Sequence, residues 1–141
     1  CPMWVFYCNR GQGITSMGVN DKDDAIMEFN PANKAYRGVS LQGFRTFIKY
    51  RPVDSAKAPS HYEPFQMTGA QSSHKDQVME VTSHEMTLSD FDEISKLRSS
   101  VAYFTAPQEP LASLVRELTL TNDSKKALEI EVLDGLPARL R

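Results

Sequence analysis

The sequence predicts an all-β fold, an antiparallel β-sandwich. Short segments rich in β-branched and aromatic residues recur at fairly regular spacing, and turn-forming residues separate them. Several of these segments alternate apolar and polar side chains, which gives a sheet one buried face and one exposed face. Because little of the chain shows helical spacing, a sandwich is the expected architecture. The length of 141 residues fits a single domain over residues 1–141, or part of one.

The composition is that of an ordinary globular domain, and it excludes several classes of protein. Apolar residues make up 40% of the chain and charged residues 24%, which is not the balance of a disordered protein. The 16 Lys and Arg against 18 Asp and Glu give a formal charge of −2, so we expect no nucleic-acid partner. The longest apolar runs are a few residues, far short of the ~20 that cross a bilayer, so we expect no membrane partner.

Four strands are predicted in the first half of the chain, followed by two exposed loops. The strands cover residues 3–8, 14–19, 25–29 and 43–51. The third strand ends at the turn signal Asn30-Pro31. The loops cover residues 54–60 and 69–76, which are rich in polar residues and show no periodicity.

The strand at residues 43–51 shows the clearest alternation. One face carries Phe44, Thr46, Ile48 and Tyr50, and the other carries Arg45, Phe47, Lys49 and Arg51. The three cations of the second face form a basic strip on the strand. Such a strip fits either a contact to another domain or a face in solvent.

The second half of the chain is predicted to hold strands at residues 77–88 and 101–105, with an ambiguous segment between them. In residues 89–97, Ser89 and Asp92 resemble a helix capping box. Phe91, Ile94 and Leu97 recur at helical spacing, which favours one or two turns of helix.

The last predicted unit is a β-hairpin. Its arms are residues 114–121 and 127–133, and a polar loop of residues 122–126 joins them. The second arm should turn its aliphatic side chains inward and Glu129 and Glu131 outward.

The cysteines and the ends of the chain bear on its origin. The apolar run between Cys1 and Cys8 is typical of extended backbone, which would hold the two thiols too far apart for a disulfide. Free thiols and a reducing, cytoplasmic compartment are therefore expected. The chain begins at Cys1 without a recognisable signal peptide, which favours a piece of a longer polypeptide, with a mature lipoprotein as the alternative.

Motifs that carry chemistry are incomplete in this sequence. Gly11-Gln12-Gly13 begins like a dinucleotide fingerprint, but Ser16 stands where the third glycine belongs. Two further groups fail in the same way: the acidic residues Asp21, Asp23 and Asp24 lack a calcium-loop pattern, and His61, His74 and His84 lack zinc spacing. Asp134 before a glycine fits either a catalytic acid or, preferably, a turn residue after a strand. We therefore predict no catalytic, cofactor-binding or metal-binding residue in this chain.

Three aromatic residues near the start of the chain could form a sugar-stacking surface. At strand spacing Trp4 and Phe6 share one side and Tyr7 lies on the other. Core packing is the favoured use of Trp4 and Phe6. A carbohydrate-binding module stays open as an alternative function, as does a structural surface domain.

Five stretches of the sequence carry a resemblance to a known family. They are residues 9–23 (NRGQGITSMGVNDKD), 27–36 (MEFNPANKAY), 43–47 (GFRTF), 114–122 (LVRELTLTN) and 128–137 (LEIEVLDGLP). Together they resemble the N-terminal region of bacterial proteins described as cellobiose phosphorylases, which are related to family 94 of the glycoside hydrolases. The resemblance covers most of the chain and includes no catalytic motif.

The resemblance implies a fold and a role. In that family the N-terminal region is a large β-sandwich of the galactose mutarotase type, and a helical (α/α)6 barrel downstream carries the chemistry. The implied reaction is inverting phosphorolysis of a β-glucoside, with inorganic phosphate as a substrate and no other cofactor. The barrel's residues lie beyond this chain, so none is carried over.

The implied role of this chain is a non-catalytic fragment of the sandwich. It would support the barrel and the dimer, and it would leave strand edges and an apolar sheet face to be covered. Its expected partners are the remainder of the parent polypeptide, a second copy of the chain and an oligosaccharide.

Overall fold

A computed structural model describes residues 3–9, 12–18, 23, 25–27, 30–66, 74–106 and 113–136, with the backbone alone for the strands before residue 30. Ten strands and one helix lie in these ranges. In chain order they are β1 (Met3–Asn9), β2 (Gln12–Gly18), β3 (Ala25–Met27), α1 (Ala32–Gln42), β4 (Arg45–Pro52), β5 (Ser60–Tyr62), β6 (His74–Val81), β7 (Glu85–Asp92), β8 (Leu97–Thr105), β9 (Leu114–Asn122) and β10 (Leu128–Gly135).

The strands form three antiparallel sheets. The first sheet has the order β1-β2-β3, the second β10-β4-β5 and the third β6-β7-β8-β9. Every strand pairing in them is antiparallel. The all-β, antiparallel fold class that the sequence predicts is therefore confirmed. No helix in the described part of the chain is long and apolar enough to cross a membrane.

The second and third sheets pack face to face as the two layers of a sandwich. Ile48 and Tyr62 of the second sheet contact Leu97 of the third, and all three are buried. The buried face of β4 is the one that carries Thr46 and Ile48. A neighbouring cluster joins Phe65, in the segment after β5, to buried side chains of β7 and β8. Burying such side chains, at roughly 1.5–3 kcal/mol each, is the main force that holds the two layers together.

Helix α1 is an element that the sequence pattern did not predict. It packs against β1 and β2 of the first sheet, and among its described side chains Ala35 and Val39 form a buried cluster. Two small apolar residues four positions apart give a weak amphipathic signal. Gly38 lies in the helix interior, where glycine lowers helix propensity, and the prediction nearest to the segment is the turn at Asn30-Pro31 before it.

The helical turns predicted for residues 89–97 are wrong. The segment is the end of β7, a tight turn and the start of β8. Asp92 is buried, and its Oδ2 accepts a hydrogen bond from the Ser95 backbone N–H at 2.8 Å. The Asp92 carbonyl accepts a second bond from Lys96 N–H, and Lys96 adopts a positive φ of 59°. The aspartate that resembles a helix cap therefore organises a hairpin turn instead.

The β-hairpin predicted for the last two strands is also wrong. Strand β9 pairs with β8 in the third sheet, whereas β10 crosses to the second sheet and pairs with β4. The connecting loop satisfies its own polar groups: Asn122 Nδ2 and Ser124 Oγ both donate to the Lys126 carbonyl, each at 2.9 Å. We call this connection the β9–β10 arch. Glu129 and Glu131 do lie on an outer face, as predicted, but it is the outer face of the β10–β4 pair and not of a β9–β10 hairpin.

Two further boundaries differ from the prediction. Strand β6 begins at His74, inside the predicted loop at residues 69–76, and it carries an irregularity at Lys75–Val78 with a positive φ of 52° at Asp76. The single strand predicted at residues 77–88 is split by a turn at residues 82–84 into β6 and β7. Thr82 N–H and Glu85 O close that turn at 2.8 Å.

Candidate functional site

The outer face of the second sheet carries ion pairs rather than a free basic strip. Register places Lys49 opposite Glu131 and Arg51 opposite Glu129. Lys49 Nζ donates to Glu131 Oε1 at 2.9 Å, and Arg51 Nε donates to Glu129 Oε2 at 3.0 Å. The third cation of the strip, Arg45, pairs with the carboxylate of Glu63. The strip on β4 is therefore neutralised by carboxylates within the chain.

A polar network links the two layers at one end of the sandwich. The Arg116 guanidinium on β9 pairs with Oδ2 of Asp134 on β10 and donates from Nη2 to Thr46 Oγ1 at 3.0 Å. Thr46 in turn donates to Asp134 Oδ1 at 2.5 Å. The Arg116 side chain is only 8% exposed. It lies over the rings of Phe44 and Tyr103, with its Cζ 5.5 and 5.6 Å from their centroids.

This network answers the question that the sequence leaves open about Asp134. Both of its carboxylate oxygens accept bonds, one from Thr46 and the other from Arg116. A general acid must present a proton to a substrate atom within hydrogen-bond reach. Asp134 instead bridges two sheets, because β10 lies in the second sheet and Arg116 in the third. Its geometry is that of an ion pair inside β10, so Asp134 is not the turn residue after a strand that the sequence predicts.

A second polar group lies deeper between the layers. Asp90 on β7 is fully buried, and its Oδ2 accepts a bond from the Tyr62 hydroxyl at 2.6 Å and from the Phe65 N–H at 3.0 Å. Gln77 Nε2 approaches the other oxygen at 3.3 Å. Phe65 adopts a positive φ of 64°, which is costly for a residue with a side chain. The bond to Asp90 and burial of the Phe65 ring hold it there.

Two tyrosines around this group have perturbed acidity. Burial, followed by the hydrogen bond to Asp90, raises the pKa of Tyr62 far above its ordinary value of 10.0. Burial and the charge of Asp92 also raise the pKa of Tyr50, against a smaller opposing effect of its hydrogen bond with Ser60. Both phenols therefore stay protonated at neutral pH, and Tyr62 serves as a hydrogen-bond donor to Asp90.

One surface feature is a set of exposed apolar side chains along β10, on both faces of the second sheet. Its members are large apolar side chains that are between 38% and 69% exposed: Phe47, Ile130, Val132, Leu133 and Leu136. We call this set the β10 rim. Ile130 and Val132 lie on the inner face of the second sheet, yet they are 40% and 44% exposed, because the third sheet does not cover them as it covers Ile48. Strand β10 is also an edge strand of its sheet.

The other candidate groups do not gather into a site. His61 and His84 are exposed, the first on β5 and the second in the turn between β6 and β7, and no group of metal-ligating side chains forms within the described ranges. Several predictions concern parts of the chain outside the described residues. These are the glycine turn at Gly11, the acidic turn at Asp21 and Asp24, the thiol of Cys1, and the side chains of Trp4, Phe6, Tyr7, Cys8 and His74.

Sequence reasoning missed the residues that bridge the layers, above all Arg116, Asp90 and Tyr62. One signal was present: Asp90 stands between Leu88 and Asp92 on the face of β7 that alternation turns inward. A carboxylate at a core position requires buried donors. The identity of those donors depends on how the sheets pack, which no local pattern contains.

No protein-family model matches the chain, and no curated protein matches it.

Proposed function

We propose that the chain is a non-catalytic β-sandwich module of a cytoplasmic carbohydrate phosphorylase of the cellobiose phosphorylase type. In this proposal the module packs through the β10 rim against the remainder of the parent polypeptide, which holds the catalytic barrel. The chain's work is then architectural: it stabilises the catalytic part and its dimer. The sequence resemblance supports the family in this proposal, and the β10 rim supports the surface through which the module docks.

The β10 rim is the observation that carries the proposal. Large apolar side chains are exposed on both faces of this sheet edge: by strand register Phe47 and Leu133 lie on the outer face, and Ile130 and Val132 lie on an inner face that the third sheet leaves half-covered. Exposed apolar patches of this kind are typical of protein–protein contacts. The edge of β10 also offers backbone N–H and C=O groups to a further strand or loop. The polar networks beside it are internally satisfied at Asp134, which favours a structural role over a catalytic one.

The first test of the proposal is a phosphorolysis assay on the isolated chain. Cellobiose or laminaribiose is incubated with inorganic phosphate, and sugar phosphate is measured. We expect no product above the protein-free control. Sustained turnover that scales with the concentration of the chain would overturn the proposal.

The second test examines the rim itself. The isolated chain should bind the neutral apolar dye Nile red and self-associate as its concentration rises, measured by light scattering after size-exclusion chromatography. The double variant Val132→Glu/Leu133→Glu should lose both properties. Thr119→Glu, on an exposed position of β9, is the matched control and should retain them. A wild-type chain that stays monomeric and binds no dye at high concentration would contradict the proposed docking surface.

A further inference from the structure

A cleft lies at the end of the sandwich where the β9–β10 arch meets the loop between β4 and β5. Its volume is about 650 Å³, which is within the usual range for sites that hold small molecules. One wall is formed by residues 52–58 and the other by residues 125–127. Tyr50 and Arg51 also line it. The cleft is separate from the β10 rim and from the Arg116 network.

The charge of the cleft is opposite to that of the chain. Lys57, Lys125 and Lys126 line it together with Arg51, against the single carboxylate of Asp54. Within the described ranges, Arg51 is paired with Glu129, whereas the three lysine ammonium groups have no carboxylate within 4.0 Å. A chain with a formal charge of −2 thus concentrates unpaired positive charge at one concave place. Such a concentration of one sign attracts ligands of the other.

The walls of the cleft are held by their own hydrogen bonds. The Val53 N–H donates to the Ala127 carbonyl at 3.1 Å and so ties the two loops to each other. In the first wall, Ser55 Oγ accepts from the Lys57 N–H at 3.2 Å. In the second, Ser124 Oγ accepts from the Lys126 N–H at 3.2 Å. The backbones that carry the lysines are therefore fixed before any ligand arrives, which lowers the entropic cost of binding.

The chemistry of the lining indicates the class of ligand. Lysine ammonium groups act as point charges that bind phosphate from several directions. Hydroxyls of Ser55 and Ser60 and the apolar surfaces of Tyr50 and Val53 fill the rest of the cleft. A ligand that matches both parts has a hydroxyl-bearing organic body and more than one phosphate group. We propose that this cleft binds a small phosphate ester, with Lys57, Lys125 and Lys126 as the phosphate-binding residues.

The proposal is tested with fructose 1,6-bisphosphate as the probe and the whole chain as the protein. Amide chemical shifts are followed by NMR during the titration, and affinity is measured by calorimetry. We expect saturable binding that shifts amides in residues 53–60 and 123–127 and weakens at high salt. Lys125→Gln/Lys126→Gln should weaken binding about tenfold, since each lysine contributes the energy of a partly exposed charge pair. Lys57→Gln should weaken it less.

The control variant is Lys34→Gln, on the exposed surface of α1, and it should bind the probe like the wild type. Fructose should not bind, and inorganic phosphate should bind more weakly than the bisphosphate. Equal affinity for the wild type and the double variant would overturn the site. Citrate binding as tightly as the bisphosphate would overturn the assignment to phosphate. Because no part of this experiment involves the β10 rim, its failure would leave the proposed architectural function standing, and the reverse also holds.

Discussion

Removal of the Tyr62 hydroxyl should destabilise the sandwich more than removal of any exposed hydroxyl. In the substitution Tyr62→Phe, the fully buried carboxylate of Asp90 loses a donor at 2.6 Å while the ring remains to pack. A hydrogen bond to a charged group contributes about 1.5–3 kcal/mol, and a buried acceptor that loses its donor cannot turn to bulk water. We therefore expect a loss of about 2 kcal/mol in the free energy of unfolding. In urea, with a slope of about 2 kcal/mol/M, the midpoint should fall by about 1 M.

A matched variant tests whether the loss of a donor to a fully buried carboxylate is the cause, because its own charged partner keeps two other bonds. The hydroxyl of Tyr103 is also buried, but it accepts a bond from Arg116 Nε at 3.0 Å, and that guanidinium keeps its bonds to the neighbouring aspartate and threonine. Tyr103→Phe should therefore cost only about 0.5–1 kcal/mol. Hydrogen exchange supplies a second measurement, because the Phe65 amide that shares Asp90 should lose protection in Tyr62→Phe. The reasoning is refuted if Tyr62→Phe costs less than about 0.5 kcal/mol, or no more than Tyr103→Phe.

Three other predictions concern backbone geometry, strand pairing and pH. Gly135 has a φ of 141°, so Gly135→Ala should lower the free energy of unfolding measured in urea by about 1 kcal/mol. Gly38→Ala in α1 should raise it by up to about 1 kcal/mol, because the new Cβ would meet its nearest atom at 3.6 Å. A gain in both variants would contradict the assigned conformations. In a background without the native thiols, Lys49→Cys/Glu131→Cys should form a disulfide on mild oxidation, because these residues lie opposite each other on β4 and β10. Glu117→Cys/Glu131→Cys, which a hairpin of β9 and β10 would bring together, should not form one. The opposite result would show that β9 and β10 pair with each other. Lys49 lowers the pKa of Glu131 below 4.5, so the pair stabilises the fold above that pH and its contribution is lost as pH falls through the lowered value. In Lys49→Gln an NMR titration should find the Glu131 pKa raised towards its ordinary value, although Arg51 and His61 still lower it, and an unchanged pKa would exclude the pairing.

The individual strands could be predicted from the sequence because burial of one face imposes alternation. In β4 the pattern identifies the inner face correctly, and Thr46 and Ile48 are buried while Arg51 and Lys49 reach the ion pairs outside. The same logic places Glu131 on the outer face of β10. Alternation reports which side of a strand is buried, and it does so without reference to the neighbouring strand.

Strand partners and the helix could not be predicted from the same information. Among the described side chains of α1, Ala35 and Val39 form the buried apolar pair, and two apolar positions are too few for a helical period to stand out. Asp92 illustrates the opposite error, since a carboxylate that accepts a backbone N–H three residues later suits a helix cap and a hairpin turn equally well. In both places tertiary packing chose between local structures that the sequence permits.

The β9–β10 arch connects the error in topology to the two proposals. Two strands joined by a short polar loop have the same sequence pattern whether they pair as a hairpin or lie in different sheets, because the alternation in each strand is the same. The crossing makes β10 the edge of the second sheet, where Val132 is only partly covered by the opposite layer. It also brings Ala127 to Val53, so that the lysines of the arch face Lys57 across the cleft. A hairpin would remove both the apolar rim and the cleft. The disulfide experiment on strand pairing is therefore the measurement on which both proposals depend.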